Sequence, residues 1–179
     1  MPALLPLMSA GDLMKPPVIY GHFNKHRGFG IEDYYPEVLQ FITILRDPFE
    51  TAISTYFYIR KVSHTWKDQS RVQTEDLENY LRTSSLNILN HFPREINLDN
   101  FKDIIEEFFV EIGITENLPH SLEKISRKLG KGFDPATLET VNATERDQRV
   151  PNDYRDQFRD KHPLEHSVYD FAKARIAIT

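Results

Sequence analysis

A run of five apolar and β-branched residues, Phe41 to Leu45, gives way abruptly at Arg46 to charged residues and proline. Because the run shows no alternation, it predicts a strand that is covered on both faces, as in a parallel sheet. Apolar residues then recur every three or four positions, which predicts a helix. Asp47 stands where an N-cap belongs, and Pro48 suits the first helical position. The sequence therefore predicts a strand, a tight turn and a helix.

Strands and helices are predicted to alternate along the rest of the chain. Val18-Ile19-Tyr20 predicts a short buried strand that ends at Gly21, and Phe109 to Ile114 predicts another strand. Further helices are predicted over residues 74–82, 99–107 and 118–129, the last closed by Gly130, and in the tail from 153 with a break at His162-Pro163. This order favours an α/β fold around a mostly parallel sheet.

Composition excludes several classes of protein. The chain has no cysteine, which rules out a disulfide framework, a thiolate zinc site and a cysteine nucleophile. Its net charge of −5 argues against a nucleic-acid partner. Apolar runs stay short of the ~20 residues that a membrane span needs, and the histidines show no metal-ligand spacing. We therefore expect a cytoplasmic protein without a bound metal.

The junction at Arg46 also predicts an anion site. A helix N-terminus offers backbone N–H groups and the positive end of the helix dipole, and a guanidinium can hold a phosphate through two hydrogen bonds. Ser54 follows eight residues later and would reach the same anion if the loop folds back. The alternative is that Arg46 pairs with Asp47 or Glu50 and that Ser54 is an ordinary helical serine.

Three segments resemble sulfotransferases, in the order that this family shows. Residues Leu45 to Tyr58 (LRDPFETAISTYFY) resemble the segment that binds the 3′-phosphate of the co-substrate. Tyr20 to Phe23 (YGHF) resembles the Gly-His segment at a strand end in carbohydrate sulfotransferases, notably the heparan sulfate 2-O type. Phe109 to Leu129 resembles the strand, the Gly-x-Thr-Glu turn and the Leu-rich helix of the family.

The resemblance implies a P-loop-NTPase-like three-layer α/β fold that binds 3′-phosphoadenosine 5′-phosphosulfate (PAPS). Such an enzyme transfers the sulfuryl group to a hydroxyl of a small molecule or glycan. Arg46 and Ser54 match the pair that holds the 3′-phosphate, and His22 matches the general base of the carbohydrate members. Arg146 and Arg149 fall in a loop that can fold over the cofactor.

One element of the family pattern is missing from this sequence. The Lys-x-Gly-Thr loop that binds the 5′-phosphosulfate has no counterpart, and Gly28-Phe29-Gly30, the nearest candidate, follows His22 in the wrong order. We therefore expect either an N-terminally truncated sulfotransferase or a shortened homologue. A non-catalytic module that binds a nucleotide or a glycan is the alternative function. A P-loop kinase would need Gly-x-x-x-x-Gly-Lys-Ser/Thr, which is absent.

We expect residues 1–179 to form a single sulfotransferase-like domain. Residues 1–17 are predicted to be an irregular lead-in, and residues 153–179 to carry the C-terminal helices. Animal relatives work in the Golgi lumen behind an N-terminal anchor, which is the alternative to a cytoplasmic location.

Overall fold

A computed structural model of the chain describes residues 19–25, 28–65, 75–139 and 150–177. These residues form a mixed α/β structure with two strands and seven α-helices. The strands are β1 (Phe41–Leu45) and β2 (Phe109–Ile114). The helices are α1 (Ile31–Tyr34), α2 (Pro48–Val62), α3 (Leu77–Thr83), α4 (Phe101–Phe108), α5 (Leu118–Lys128), α6 (Asp153–Lys161) and α7 (Pro163–Ala177).

The two strands pair in parallel, which confirms the predicted α/β class and the parallel pairing. Thr43 lies opposite Ile112, Ile44 opposite Gly113, and Leu45 opposite Ile114. The register shifts between Phe41 and Ile42, so the regular ladder begins one residue into β1. Both strands therefore end at the same edge of the sheet.

One face of this sheet forms the main core. Leu45, Ile112 and Ile114 turn to this face and pack against α4 and α7, whose buried members include Ile105 and Val168. A second buried cluster surrounds α2, where Phe49, Ile53 and Phe57 meet residues of α3 and α6. Helix α2 thus lies between α3, α6 and α7, with its N-terminus at the carboxyl edge of the sheet.

The opposite face of the sheet is covered over β2 but not over β1. A Cβ on Gly113 would lie 2.9 Å from the Ser121 Cβ, so α5 packs directly on β2. Ile42 and Ile44, on the neighbouring strand, are 36% and 40% exposed. The prediction that β1 is covered on both faces is therefore wrong, because α5 shields only one of the two strands.

The predicted strand at Val18-Ile19-Tyr20 is also wrong for its two described residues. Ile19 and Tyr20 belong to no strand and are 41% and 86% exposed. The segment that follows is anchored instead by aromatic contacts, since the Phe23 ring lies 6.1 Å from that of Tyr34 and 5.9 Å from that of Tyr35. Among the described residues, no strand lies beside Ile19 and Tyr20 for them to pair with.

Predictions from local signals are confirmed. The Asp47 carboxylate caps α2 by accepting the Glu50 N–H at 2.9 Å, with Pro48 as the first helical residue. Gly130 has a φ of 62° just after α5, as expected of a helix C-terminus. His162 ends α6 and Pro163 begins α7. Among the described helices, none is both long and apolar enough to cross a membrane.

A buried carboxylate on β2 binds two lysines of α5. Glu111 is 1% exposed, and one of its oxygens lies 3.0 Å from the Lys128 Nζ and 3.8 Å from the Lys124 Nζ. From the sequence alone, these lysines would be predicted to lie on a solvent-exposed face of the helix. They instead compensate a charge that burial alone would make costly.

Candidate functional site at the carboxyl edge of the sheet

The turns that follow the two strands are joined by side-chain hydrogen bonds. The Thr115 hydroxyl donates to the Leu45 carbonyl at 3.0 Å, and the Asp47 N–H donates to the Glu116 carboxylate at 2.9 Å. In open parallel sheets ligands bind at this edge, outside the carboxyl ends of the strands. The predicted phosphate-binding segment therefore lies where a ligand site is expected.

The backbone N–H groups at the start of α2 are largely taken by the chain itself. The Asp47 carboxylate accepts the Glu50 N–H, the Thr51 N–H donates to the Asp47 carbonyl at 2.9 Å, and Glu116 accepts the Asp47 N–H. The expectation that this helix start offers free N–H groups to an anion is therefore wrong for these three. An anion here must be held mainly by side chains.

The carboxylates at this helix start pair with Arg155 of α6. The Arg155 guanidinium lies 3.2 Å from an Asp47 oxygen and 2.5 Å from a Glu50 oxygen, and it stacks 4.5 Å from the centre of the Phe49 ring. No hydrogen bond or ion pair among the described residues joins Arg46 to Asp47 or Glu50, so the alternative in which Arg46 pairs with one of them is wrong. Because Arg155 compensates both carboxylates, Arg46 stays available for another partner.

Arg46 and Ser54 are partly buried polar residues whose side chains have no partner among the described residues. Within the described ranges, neither the Arg46 guanidinium nor the Ser54 hydroxyl makes a hydrogen bond or an ion pair. The neighbouring hydroxyls behave differently, since Thr51 and Thr55 donate to carbonyls one turn earlier at 3.0 Å and 2.8 Å. The two predicted phosphate ligands thus keep hydrogen-bonding capacity that the neighbouring Thr51 and Thr55 hydroxyls spend on the helix backbone.

His22 lies apart from these residues in the described contacts. It is exposed, and its ring meets that of Tyr20 at 5.7 Å, edge to face. No described contact joins it to Arg46 or to Ser54. Arg146 and Arg149 lie outside the described residues, so their predicted place over the cofactor stays a prediction.

Helix α7 brings two buried ionisable residues toward the same edge. Burial and a hydrogen bond to Glu116 raise the pKa of Tyr169, which is 3% exposed. His166 is also 3% exposed, and neither of its ring nitrogens has a hydrogen-bond partner among the described residues. Burial lowers the pKa of His166, although the Asp47 carboxylate acts in the opposite direction. Both residues favour a neutral side chain at neutral pH.

The histidine that contacts β1 is His91 rather than His22. Its Nε2 lies 2.9 Å from the Thr43 hydroxyl, and its ring lies 5.3 Å from that of Phe92. Burial lowers the pKa of His91 to about 4. His91 is therefore neutral in the folded protein at physiological pH.

The structure places Arg46 and Ser54 on the same strand-turn-helix unit, as predicted, while no contact described for His22 joins it to that unit. The sequence did not predict Arg155, His166 or Tyr169, because nothing in the local sequence marks a residue whose partners lie far away in the chain. Glu116 stood in a motif, but its bond to Asp47 depends on the parallel pairing of the strands. No family model, no curated protein and no solved structure matches this chain.

Proposed function

We propose that this chain is a sulfotransferase that uses PAPS and transfers its sulfuryl group to a hydroxyl, with a carbohydrate as the acceptor class. The proposal includes a P-loop-NTPase-like three-layer architecture, of which the parallel pair β1 and β2 would be part. Arg46 and Ser54 would hold the 3′-phosphate. The resemblance of three segments supports this proposal.

The observation that carries the proposal is the unused hydrogen-bonding capacity of Arg46 and Ser54. A phosphate accepts several hydrogen bonds, and a guanidinium offers two in parallel. Helical rise places the Ser54 Cα about 10 Å beyond that of Asp47, so Arg46 must reach along α2 for both residues to bind one phosphate. Arg155 reduces the repulsion that Asp47 and Glu50 would exert on the anion.

The transfer breaks one S–O bond and forms another. The sulfuryl group leaves the 5′-phosphate oxygen of PAPS and bonds to the acceptor oxygen, whose proton must pass to a base. The resemblance gives this role to His22, since an imidazole can accept a proton near neutral pH. For that role, the acceptor would have to bind between the exposed His22 ring and the carboxyl edge of the sheet.

The second candidate function is a non-catalytic module that binds a 3′-phosphorylated nucleotide or a sulfated glycan. Two observations favour it. His22 makes no described contact with Arg46 or Ser54, and the chain's own carboxylates occupy backbone N–H groups at the start of α2. Both candidate functions share the Arg46 site and differ in whether a sulfuryl group is transferred.

The test is transfer of labelled sulfate from PAPS to a panel of glycans and small hydroxyl compounds. The proposal predicts transfer by the wild-type chain, strong loss in Arg46→Ala and in His22→Ala, and little change in Arg82→Ala, which alters an exposed arginine of α3. Nucleotide binding without transfer would contradict the enzyme and support the binding module. Transfer that survives Arg46→Ala would contradict the assigned phosphate site.

A further inference from the structure

Strand β1 is the outer strand of its sheet on the side away from β2. Among the described residues, β1 makes no backbone ladder except the one with β2. An unpaired strand edge presents a row of N–H and C=O groups that can pair with another strand.

Exposed apolar side chains are concentrated in β1 and in the residues that precede it in the sequence. Ten large hydrophobic residues of the described ranges are exposed, and five of them lie between residues 34 and 44. These five are Tyr34, Val38, Leu39, Ile42 and Ile44. A cluster of this kind marks an interaction surface more often than a scattered set does.

We propose that the edge of β1 pairs with the same edge of a second copy of this chain, in antiparallel orientation about Thr43. This register places Ile42 of one copy opposite Ile44 of the other. The two-fold axis at Thr43 also places Ile44 of the first copy opposite Ile42 of the second. The two exposed isoleucines of each copy would then form two directly opposed apolar pairs on one face. The result is a continuous sheet of four strands in the order β2, β1, β1, β2.

A second copy fits this edge because the edge is complementary to itself. The exposed residues at 42 and 44 are symmetric about 43, so antiparallel pairing matches apolar with apolar without a shift of register. Residues 38–45 (VLQFITIL) contain no charged side chain, although the chain carries a net charge of −5. Two identical edges can therefore meet without placing like charges opposite one another.

The cover over β2 is compatible with this arrangement. A two-fold axis perpendicular to the sheet keeps the faces of both copies on the same side, so both copies of α5 would flank the isoleucine strip. Ile44 already lies next to Gly113 and to the α5 side chains that cover it. The second copy would extend the sheet in the direction that α5 leaves open.

The first test is the mass of the full chain in solution over a range of concentrations, by analytical ultracentrifugation. The proposal predicts a reversible dimer, a shift of the dissociation constant by about tenfold or more in Ile44→Lys, and an unchanged dimer in Leu98→Lys. Leu98 is a matched control because it is an exposed leucine outside the strands, 52% exposed. A monomer at every concentration, or a dimer indifferent to Ile44→Lys, would overturn the proposal.

The second test examines the register directly and benefits from the absence of native cysteines. Directly opposite residues in antiparallel strands have the spacing that a disulfide needs, whereas diagonal residues are farther apart. A mixture of Ile42→Cys and Ile44→Cys chains should therefore cross-link under mild oxidation faster than either variant alone. Equal cross-linking in the mixture and in the separate variants would overturn this register.

Discussion

The Glu116 carboxylate accepts the backbone N–H of Asp47 at 2.9 Å, which joins two turns that lie 69 residues apart in the chain. The same carboxylate acts on the buried Tyr169 of α7, whose pKa it helps to raise. One side chain thus connects the end of β1, the end of β2 and helix α7 at the edge where the candidate ligand site lies. Within the Gly-x-Thr-Glu segment, Glu116 therefore has a structural role.

Replacing Glu116 should destabilise the fold. Glu116→Ala removes the acceptor of the Asp47 N–H and, with it, the bond that joins the two turns, so we expect a loss of about 1–2 kcal/mol in the free energy of unfolding. Glu123→Ala is the control, because Glu123 forms an exposed pair with Arg127, which is worth below about 1 kcal/mol. Urea unfolding measures both variants, and equal losses would contradict the structural role of Glu116.

Adding a methyl group at Gly113 should destabilise the contact between β2 and α5. The new Cβ would lie 2.9 Å from the Ser121 Cβ and 3.3 Å from an Ile44 side-chain carbon. Overpacking of this kind costs about 1–3 kcal/mol. Gly132→Ala, with nothing within 4 Å of its added Cβ, should unfold at a denaturant concentration close to that of the wild type. A stable Gly113→Ala variant would contradict the close packing.

His91 should make the fold less stable in acid. Its folded pKa is about 4, below the value of about 6.5 in an unfolded chain, so the unfolded state binds more protons between these pH values. Stability is therefore full above pH about 6.5 and falls as the pH drops toward 4, by up to about 3 kcal/mol. Burial lowers the pKa values of His162 and His166 as well, which adds to the same trend.

The variant His91→Gln keeps a hydrogen-bonding group near Thr43 and removes the titration. Urea unfolding at pH 7 and at pH 5 should show a smaller difference in this variant than in the wild type. Titration of the His91 ring by nuclear magnetic resonance gives the folded pKa independently. A ring pKa near 6.5 would contradict the burial of His91 against β1.

Arg155 should support anion binding at Arg46 from a distance. Arg155→Met keeps apolar contact with Phe49 but removes the positive charge beside Asp47 and Glu50, so we expect weaker binding of adenosine 3′,5′-bisphosphate. Because Arg155 is 44% exposed, the effect should be modest, up to about fivefold, in line with about 1 kcal/mol for an exposed pair. Arg159→Met, which disrupts the exposed pair with Asp170, is the control. Equal affinities in the two variants would contradict this role.

Local signals were sufficient to predict the unit that carries the candidate site. The apolar run before Arg46, the cap at Asp47 and Pro48 at the first helical position act within a few residues, and the structure confirms the strand and the helix. The burial of a strand face could not be predicted in the same way, because it depends on which elements pack against that face. Ile42 and Ile44 have the composition of a buried strand, yet α5 packs mainly on β2 and leaves both side chains exposed.

Long-range pairs at the site were beyond prediction from one sequence. The Arg155 guanidinium reaches Glu50 across 105 residues, and the spacing of α6 contains no feature that marks this partner. For the same reason, the sequence did not predict that Glu116 accepts the Asp47 N–H and so takes a donor that an anion could use. Both residues nevertheless belong to segments that resemble the family. Spacing predicted which residue types gather at the strand end, but not which of them pair.

The most direct measurement is calorimetric titration of the purified chain with adenosine 3′,5′-bisphosphate, with Arg46→Ala and Arg82→Ala measured beside the wild type. A guanidinium that binds the 3′-phosphate predicts that Arg46→Ala loses about 1.5–3 kcal/mol of binding free energy, roughly a tenfold to hundredfold weaker affinity, while Arg82→Ala binds as the wild type does. No binding by the folded wild-type chain, or equal binding by Arg46→Ala, would contradict the 3′-phosphate site.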